Sequence, residues 1–156
     1  MFMFFARAKP QLVLVDEIIC INSRMASHGS VSEDRHEETS VIRGHHVYKS
    51  VWTPEVGKEL SLVTEDGNEH DKYAVAVIKD GYVVGHMPRS LSRVSWYFLK
   101  RGGCISCRVT GRRKLGVGLE VPCVYVYHGS SRSVEKLRRL LSASDDMEMM
   151  PLSCPS

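Results

Sequence analysis

Asn68, His70 and Asp71 lie just before two apolar runs, and His86 and Arg89 just after them, in the stretch EDGNEHDKYAVAVIKDGYVVGHMPR from Glu65 to Arg89. Amide, imidazole, carboxylate and guanidinium groups donate and accept hydrogen bonds, so if the two runs pair, the residues bracketing them converge into a binding site. Two of the five also have a plainer explanation. Asn and Asp side chains bond their own backbone a few residues on, which suits Asn68 and Asp71 to capping a turn that leads into YAVAVI.

Other candidate chemistry is thinner. Cys104-x-x-Cys107, with Cys123 and His128 downstream, offers zinc-ligand residue types. The pair lies in a strand-like run, however, where residues three apart point to opposite faces, and a zinc hairpin needs a turn between its cysteines. Small buried hydrophobes are the expectation for these thiols, without a metal. His45-His46 lacks the spacing of a metal or catalytic pair and fits a strand edge facing an anion. Trp52, Trp96 and Tyr97 have faces for stacking on bases, although aromatics at helical spacing usually serve a core. Gly57-Lys58 is followed by Glu59 and lacks the glycine spacing of a phosphate loop, and neither Gly-x-Ser-x-Gly nor His-Glu-x-x-His occurs. The expectation is a binding protein with no cofactor, not an enzyme.

Short strands must position these residues. YAVAVI and YVVGHM flank Lys79-Asp80-Gly81, whose Asp-Gly supplies the positive φ angles of a tight hairpin. HHVYKSVW and ELSLV precede them, and CISCRVTGRR and GLEVPCVYVYHG follow, joined by the basic GRRKLGVG. In between, SLSRVSWYFLKRGG spaces Leu91, Val94, Phe98 and Leu99 along one helical face, with Ser90 to cap it and Gly102 or Gly103 to end it. A last helix, SVEKLRRLLS, gathers Val134, Leu137 and Leu141. Six short strands with one inserted and one C-terminal helix predict a mainly β (α+β) domain, a small barrel or rolled sheet, over residues 41–141. Residues 1–40 read as a partly disordered extension. Within it Leu12 to Ile21 suits a strand or short helix, and the polar segment from Asn22 to Ser40 suits a linker. Residues 142–156 read as a disordered acidic tail.

Charge follows the same division. The net charge is +3, but residues 41–141 hold 17 Lys and Arg against 9 Asp and Glu, while residues 1–40 hold 4 against 6 and residues 142–156 none against 3. A basic body with acidic ends is the footprint expected of a polyanion binder. Five cysteines, an odd and scattered number, predict reduced thiols in an intracellular protein. MFMFF is broken by Arg7, Lys9 and Pro10, and LVLVDEIICI contains Asp16 and Glu17, so neither run predicts a signal peptide or a membrane span.

The order of residues from Glu65 to Arg89 resembles the HIRAN domain, a module of fork-remodelling proteins such as helicase-like transcription factor that also occurs alone. VIRGHHVY, EDGNEHDKYAVAV, GYVVGHMPR and LEVPCVYVYHG carry the resemblance, over about Val41 to Gly129. The middle two stand where the family has Arg/Glu-x-x-Asn-x-x-Asp-x-x-Ala-Ile-x-Val and Gly-x-x-Val-Gly-His/Tyr-x-x-Arg/Lys. What this implies is an OB-like six-stranded barrel with flanking helices. It further implies a nuclear DNA-repair role, binding single-stranded DNA with preference for a free 3′-hydroxyl end, in a larger DNA-processing assembly. Asp71 would accept the terminal hydroxyl and repel a 3′-phosphate, and Lys72, His86 and Arg89 would hold the last phosphates. His70 stands where the family has a base-stacking tyrosine. In the first strand His46-Val47 replaces the family's Arg-Tyr, with Tyr48 one step on, so that His46 and Tyr48 complete the expected nucleic-acid-binding set. Losing one stacking plate costs about 1–3 kcal/mol, which predicts weaker and less end-specific binding, aided by Arg108, Arg112, Arg113 and Lys114. The alternative is a protein-interaction or structural β-barrel domain that has lost the DNA-end site.

Overall fold

The computed structural model describes residues 32–44, 53–112 and 120–148. The Leu12–Ile21 run, His45 to Trp52 with His46, Val47 and Tyr48, residues Arg113 and Lys114, and residues 149–156 lie outside these segments. Among the described residues six antiparallel strands form one sheet: β1 (Glu33–Ile42), β2 (Glu59–Thr64), β3 (Val75–Lys79), β4 (Tyr82–His86), β5 (Cys104–Val109) and β6 (Val121–Ser130), in the order β1-β6-β5-β2-β3-β4. Helix α1 (Arg89–Lys100) is inserted between β4 and β5, and α2 (Ser131–Glu148) follows β6. The mainly β class and the two-helix plan agree with expectation.

The word barrel needs correction. β1 pairs with β6 along all ten of its residues, and among the described residues the two outer strands, β1 and β4, are bridged by hydrogen bonds only just past the end of β1, where Arg43 faces His86. There the Arg43 N–H donates to the His86 carbonyl at 2.8 Å and the His86 N–H to the Arg43 carbonyl at 2.9 Å. The sheet is therefore curled but open, pinned at one residue pair. Gly85 makes the pin possible, because a Cβ at that position would lie 2.4 Å from Ile42 Cγ2 and 3.0 Å from the Arg43 carbonyl oxygen. This is the glycine of Val-Gly-His, and close approach is its structural role.

The β3–β4 hairpin forms as its sequence predicts. Asp80 (φ +51) and Gly81 (φ +80) make the two-residue connection, and Lys79 faces Tyr82. Four of the five residues of β3 are buried because the strand faces apolar side chains on both sides: Val75 and Val77 belong to the main core, Ala76 and Ile78 to a smaller cluster with Val83 and Val63. The main core also takes in Ile42, Leu60, Leu62, Val109, Tyr125 and Tyr127 of the sheet and Val134, Leu137 and Leu141 of α2.

Three boundary expectations change. The stretch from Glu33 to Ser40 is strand, so the expected domain start at Val41 falls inside β1. Its inner positions are polar and are satisfied by tertiary partners: Arg138 bonds the Asp34 carboxylate and the Arg35 carbonyl at 2.9 Å each, and the His36 ring lies 6.0 Å from that of Tyr127. The Asp34 carboxyl is held below its usual range by the Arg35 N–H and by Arg138. Helix α2 runs through Ser142 to Glu148, into the segment expected as tail, since each residue added to a helix already packed at Leu141 gains a backbone bond. Ser90 lies inside α1 instead of capping it. Pro88 is the N-cap, with its carbonyl accepting from the Leu91 and Ser92 N–H groups. The far end of α1 closes as predicted, with Gly102 at φ +91 and the Gly102 and Gly103 N–H groups bonded to the Leu99 and Phe98 carbonyls. Facing the sheet, α1 presents Phe98 with two buried serines; Ser95 Oγ meets Tyr127 OH at 2.8 Å.

Candidate nucleic-acid interface

Residues 65–74 connect β2 to β3 and form the loop that carries His70, Asp71 and Lys72 of the expected site. The Glu65 N–H bonds the Ala74 carbonyl at 2.9 Å, extending the β2–β3 ladder and closing the loop at its base. Inside it, Asn68 Oδ1 accepts the N–H groups of His70 and Asp71 at 2.9 and 3.0 Å. Asp71 Oδ1 accepts the Tyr73 N–H at 2.9 Å. Both residues therefore cap the turn, as their types predict. Asp71 is half-buried, and its Oδ2 has no hydrogen-bond partner among the described residues.

Pairing of β3 with β4 brings the other end of the motif to this loop. His86 ends β4, and its Nε2 pairs with the Glu65 carboxylate. The His86 hydrogen bond holds the Glu65 carboxyl below the usual carboxylate range, against the opposing effect of partial burial, with a further bond from the Asn68 side chain. Arg89 opens α1 with its guanidinium 3.5 Å from the His70 carbonyl, the outer limit of a hydrogen bond. His70, Lys72 and Arg89 are exposed. The expected residues His70, Asp71, Lys72, His86 and Arg89 thus share one end of the sheet, while His46 and Tyr48 lie outside the described segments. His86, expected to hold a phosphate, is engaged by the Glu65 carboxylate.

The expected set omits several neighbours. Glu65 is the first residue of the Glu-x-x-Asn-x-x-Asp spacing, and that spacing was the available signal for it. Tyr73 follows Lys72, and its ring lies 5.4 Å from the Trp96 ring and 5.7 Å from that of Tyr97. Lys72 Nζ and the Arg93 guanidinium each lie 5.4 Å from the Tyr73 centroid, within cation–π range. Lys100 lies 5.3 Å from the Trp96 centroid and is also paired with Asp66 at 2.6 Å. The aromatics of α1 thus divide: Trp96 packs partly into the core, and Tyr97 stays exposed beside the loop.

The thiols stand apart from this end. Cys104 and Cys107 fall on alternating faces of β5, and Cys107 is buried, where its neighbour Cys123 and the loss of solvent push its pKa far up. Among the described residues no three His, Cys, Asp or Glu side chains gather as a metal site requires. Arg108 half-faces solvent on β5, 3.7 Å from Glu37, and Arg112 is exposed.

The crystal structure of the HIRAN domain of human HLTF is similar to this chain with a TM-score of 0.61 at 16% identity, covering 74% of this chain and 95% of that one. The NMR structure of the HLTF HIRAN domain in its DNA-bound conformation gives 0.58 at 17% identity, covering 74% and 93%. At such identities the likeness establishes the fold. No curated protein matches the sequence. The sequence model of the HIRAN domain matches residues 40–124, more than half of the chain. That segment contains the capped loop, the hairpin, the Val-Gly-His pin and α1, and the chain belongs to the HIRAN domain family.

Proposed function

We propose that this protein binds single-stranded DNA, preferring a strand that ends in a free 3′-hydroxyl, and that it acts by binding and not by catalysis. One observation carries the reading: Asp71 is fixed through Oδ1 by the Tyr73 N–H, while Oδ2 is left without a described partner at the rim of a loop flanked by Lys72, Arg89 and Arg93. A carboxylate held in this way accepts a bond from a terminal hydroxyl without first paying to become ordered, and it repels a terminal phosphate. The surrounding cations suit the phosphates that precede the end. The DNA-bound conformation recorded for the similar HLTF domain supports nucleic acid as the ligand.

Fluorescence anisotropy with a labelled oligonucleotide of about ten nucleotides tests the proposal, since a single strand held by Z phosphates loses affinity with a log–log salt slope of about −0.7Z. Tighter binding of the 3′-hydroxyl form than of the 3′-phosphate form is expected. Equal affinity for the two forms would remove the end preference and leave general strand binding. A folded protein with no salt-sensitive binding to either would favour a protein-interaction or structural role.

A further inference from the structure

We infer that the cleft between α1 and α2 is a second nucleotide subsite, in which single-stranded DNA leading away from the Asp71 loop seats a base against Tyr97 and a phosphate among Arg101, Arg132 and Lys136. The cleft has a volume of about 340 Å³. Pockets that take small ligands span about 300–1,000 Å³. Its floor is apolar, made by Val94 and Phe98 of α1 and Leu137 and Leu140 of α2. Tyr97 forms a wall and is 39% exposed. Arg101, just past the end of α1, and Arg132 and Lys136, one turn apart on α2, complete the lining.

Charge identifies the occupant. All three cations are exposed, and none forms an ion pair among the described residues. Glu135, the acid nearest to them in sequence on α2, is instead engaged by Arg138 and Arg139 at 3.9 and 3.3 Å. An apolar slot with an aromatic wall and a triply cationic rim matches a base joined to a phosphate, the repeating unit of a single strand.

Continuity gives the path. The Tyr97 ring that walls the cleft also touches the Tyr73 ring at 5.7 Å, and the Tyr73 amide is the group that fixes Asp71. Arg93 lies over the same Tyr73 ring. From the loop to the cleft the surface thus runs Lys72, Tyr73, Arg93, Tyr97, Arg101, alternating cations with rings as a strand alternates phosphates with bases. The inference rests on the DNA-binding reading above and extends it from the strand end to the nucleotides before it.

The test compares 3′-hydroxyl oligonucleotides of about three and about ten nucleotides on wild type, on Tyr97→Ala and on the double variant Arg132→Ala/Lys136→Ala, because each stacked base contributes roughly 1–3 kcal/mol and each neutralised phosphate about 0.7 of salt slope. Both variants alter exposed side chains, and circular dichroism checks their folding. The expected result is roughly ten-fold weaker binding of the longer strand by each variant, with binding of the shorter unchanged in the double variant, whose residues do not touch the loop. In the double variant the salt slope for the longer strand falls by about 0.7, corresponding to the one phosphate that the subsite holds. Wild-type affinity of both variants for the longer strand overturns the inference while leaving the loop reading intact. If in addition an acidic amphipathic peptide binds wild type but not the double variant, the cleft belongs to a protein partner. Failure of wild type to bind either strand removes both readings together.

Discussion

Replacing Gly85 with Ala tests how the outer strands of the sheet are held together. The added methyl would lie 2.4 Å from Ile42 Cγ2, where carbon contacts normally settle at ~3.5–4.0 Å, and 3.0 Å from the Arg43 carbonyl oxygen. Neither neighbour has room to yield. Ile42 is wholly buried, and the carbonyl is held at 2.9 Å by the His86 N–H. Relief requires either an off-rotamer Ile42 or withdrawal of β1 from β4. Overpacking of this kind costs about 1–3 kcal/mol. Loss of the two bridge hydrogen bonds adds about 0.5–1.5 kcal/mol each if β1 withdraws. The expected destabilisation with β1 withdrawn is therefore about 2–6 kcal/mol, a large share of a typical total of about 5–15. For a domain of this size that corresponds to a fall in Tm of roughly 8–24 °C, read by far-UV circular dichroism. Ile42→Leu moves the branch from Cβ to Cγ and removes the clashing methyl. In the Ile42→Leu/Gly85→Ala double variant the coupling should therefore be favourable by about 1 kcal/mol or more. A single variant melting within about 2 °C of wild type, or strictly additive effects in the cycle, would refute the close-approach argument.

Asp71→Asn separates the two uses of that side chain: the retained Oδ1 still takes the Tyr73 N–H, but an NH₂ replaces Oδ2 and donates where an acceptor was. Folding stability should stay within about 0.5 kcal/mol of wild type. The advantage of a 3′-hydroxyl over a 3′-phosphate strand should fall roughly ten-fold or more, as loss of a charge-assisted bond predicts, and a preserved advantage in anisotropy titrations would exclude Asp71 as the end acceptor. Acid stability should report on Glu65, whose folded pKa lies below its ordinary value of 4.5 because of the His86 bond. Such a group stabilises the fold fully above its ordinary value, and that contribution is lost as pH falls through the depressed folded value. Denaturant titrations across that window should show wild type losing stability more steeply than Glu65→Gln, and parallel curves would show that the Glu65–His86 pair contributes nothing to folding.

What could be read from the sequence divides by the range of the physics involved. The β3–β4 hairpin, the caps at Asn68 and Asp71 and the glycine end of α1 each depend on residues within a few positions of one another, and each forms as its residue types predict. β1 is the opposite case. Its sequence EDRHEETS carries no apolar alternation, because the inward positions are filled by Asp34, His36 and Glu38: Arg138 bonds Asp34 and the Tyr127 ring lies beside His36, both about a hundred residues away, and His36 in turn pairs with Glu38. The site shows the same division. His70, Asp71 and Lys72 are adjacent, and the hairpin returns His86 and Arg89 to them by local pairing, so their convergence follows from a pattern visible in one short stretch. Glu65 was equally close in sequence, but its partnership with His86 depends on the hairpin register carrying His86 back across β3 to the base of the loop. Tyr97 required most of the fold. Helical spacing places it on α1, yet whether it is core or surface is decided by α2, which packs beside α1 closely enough to make a cleft and stops short of covering the ring. An aromatic left open there, between the capped loop and three exposed cations, is a product of helix packing, and it is the feature of this surface that only three dimensions could disclose.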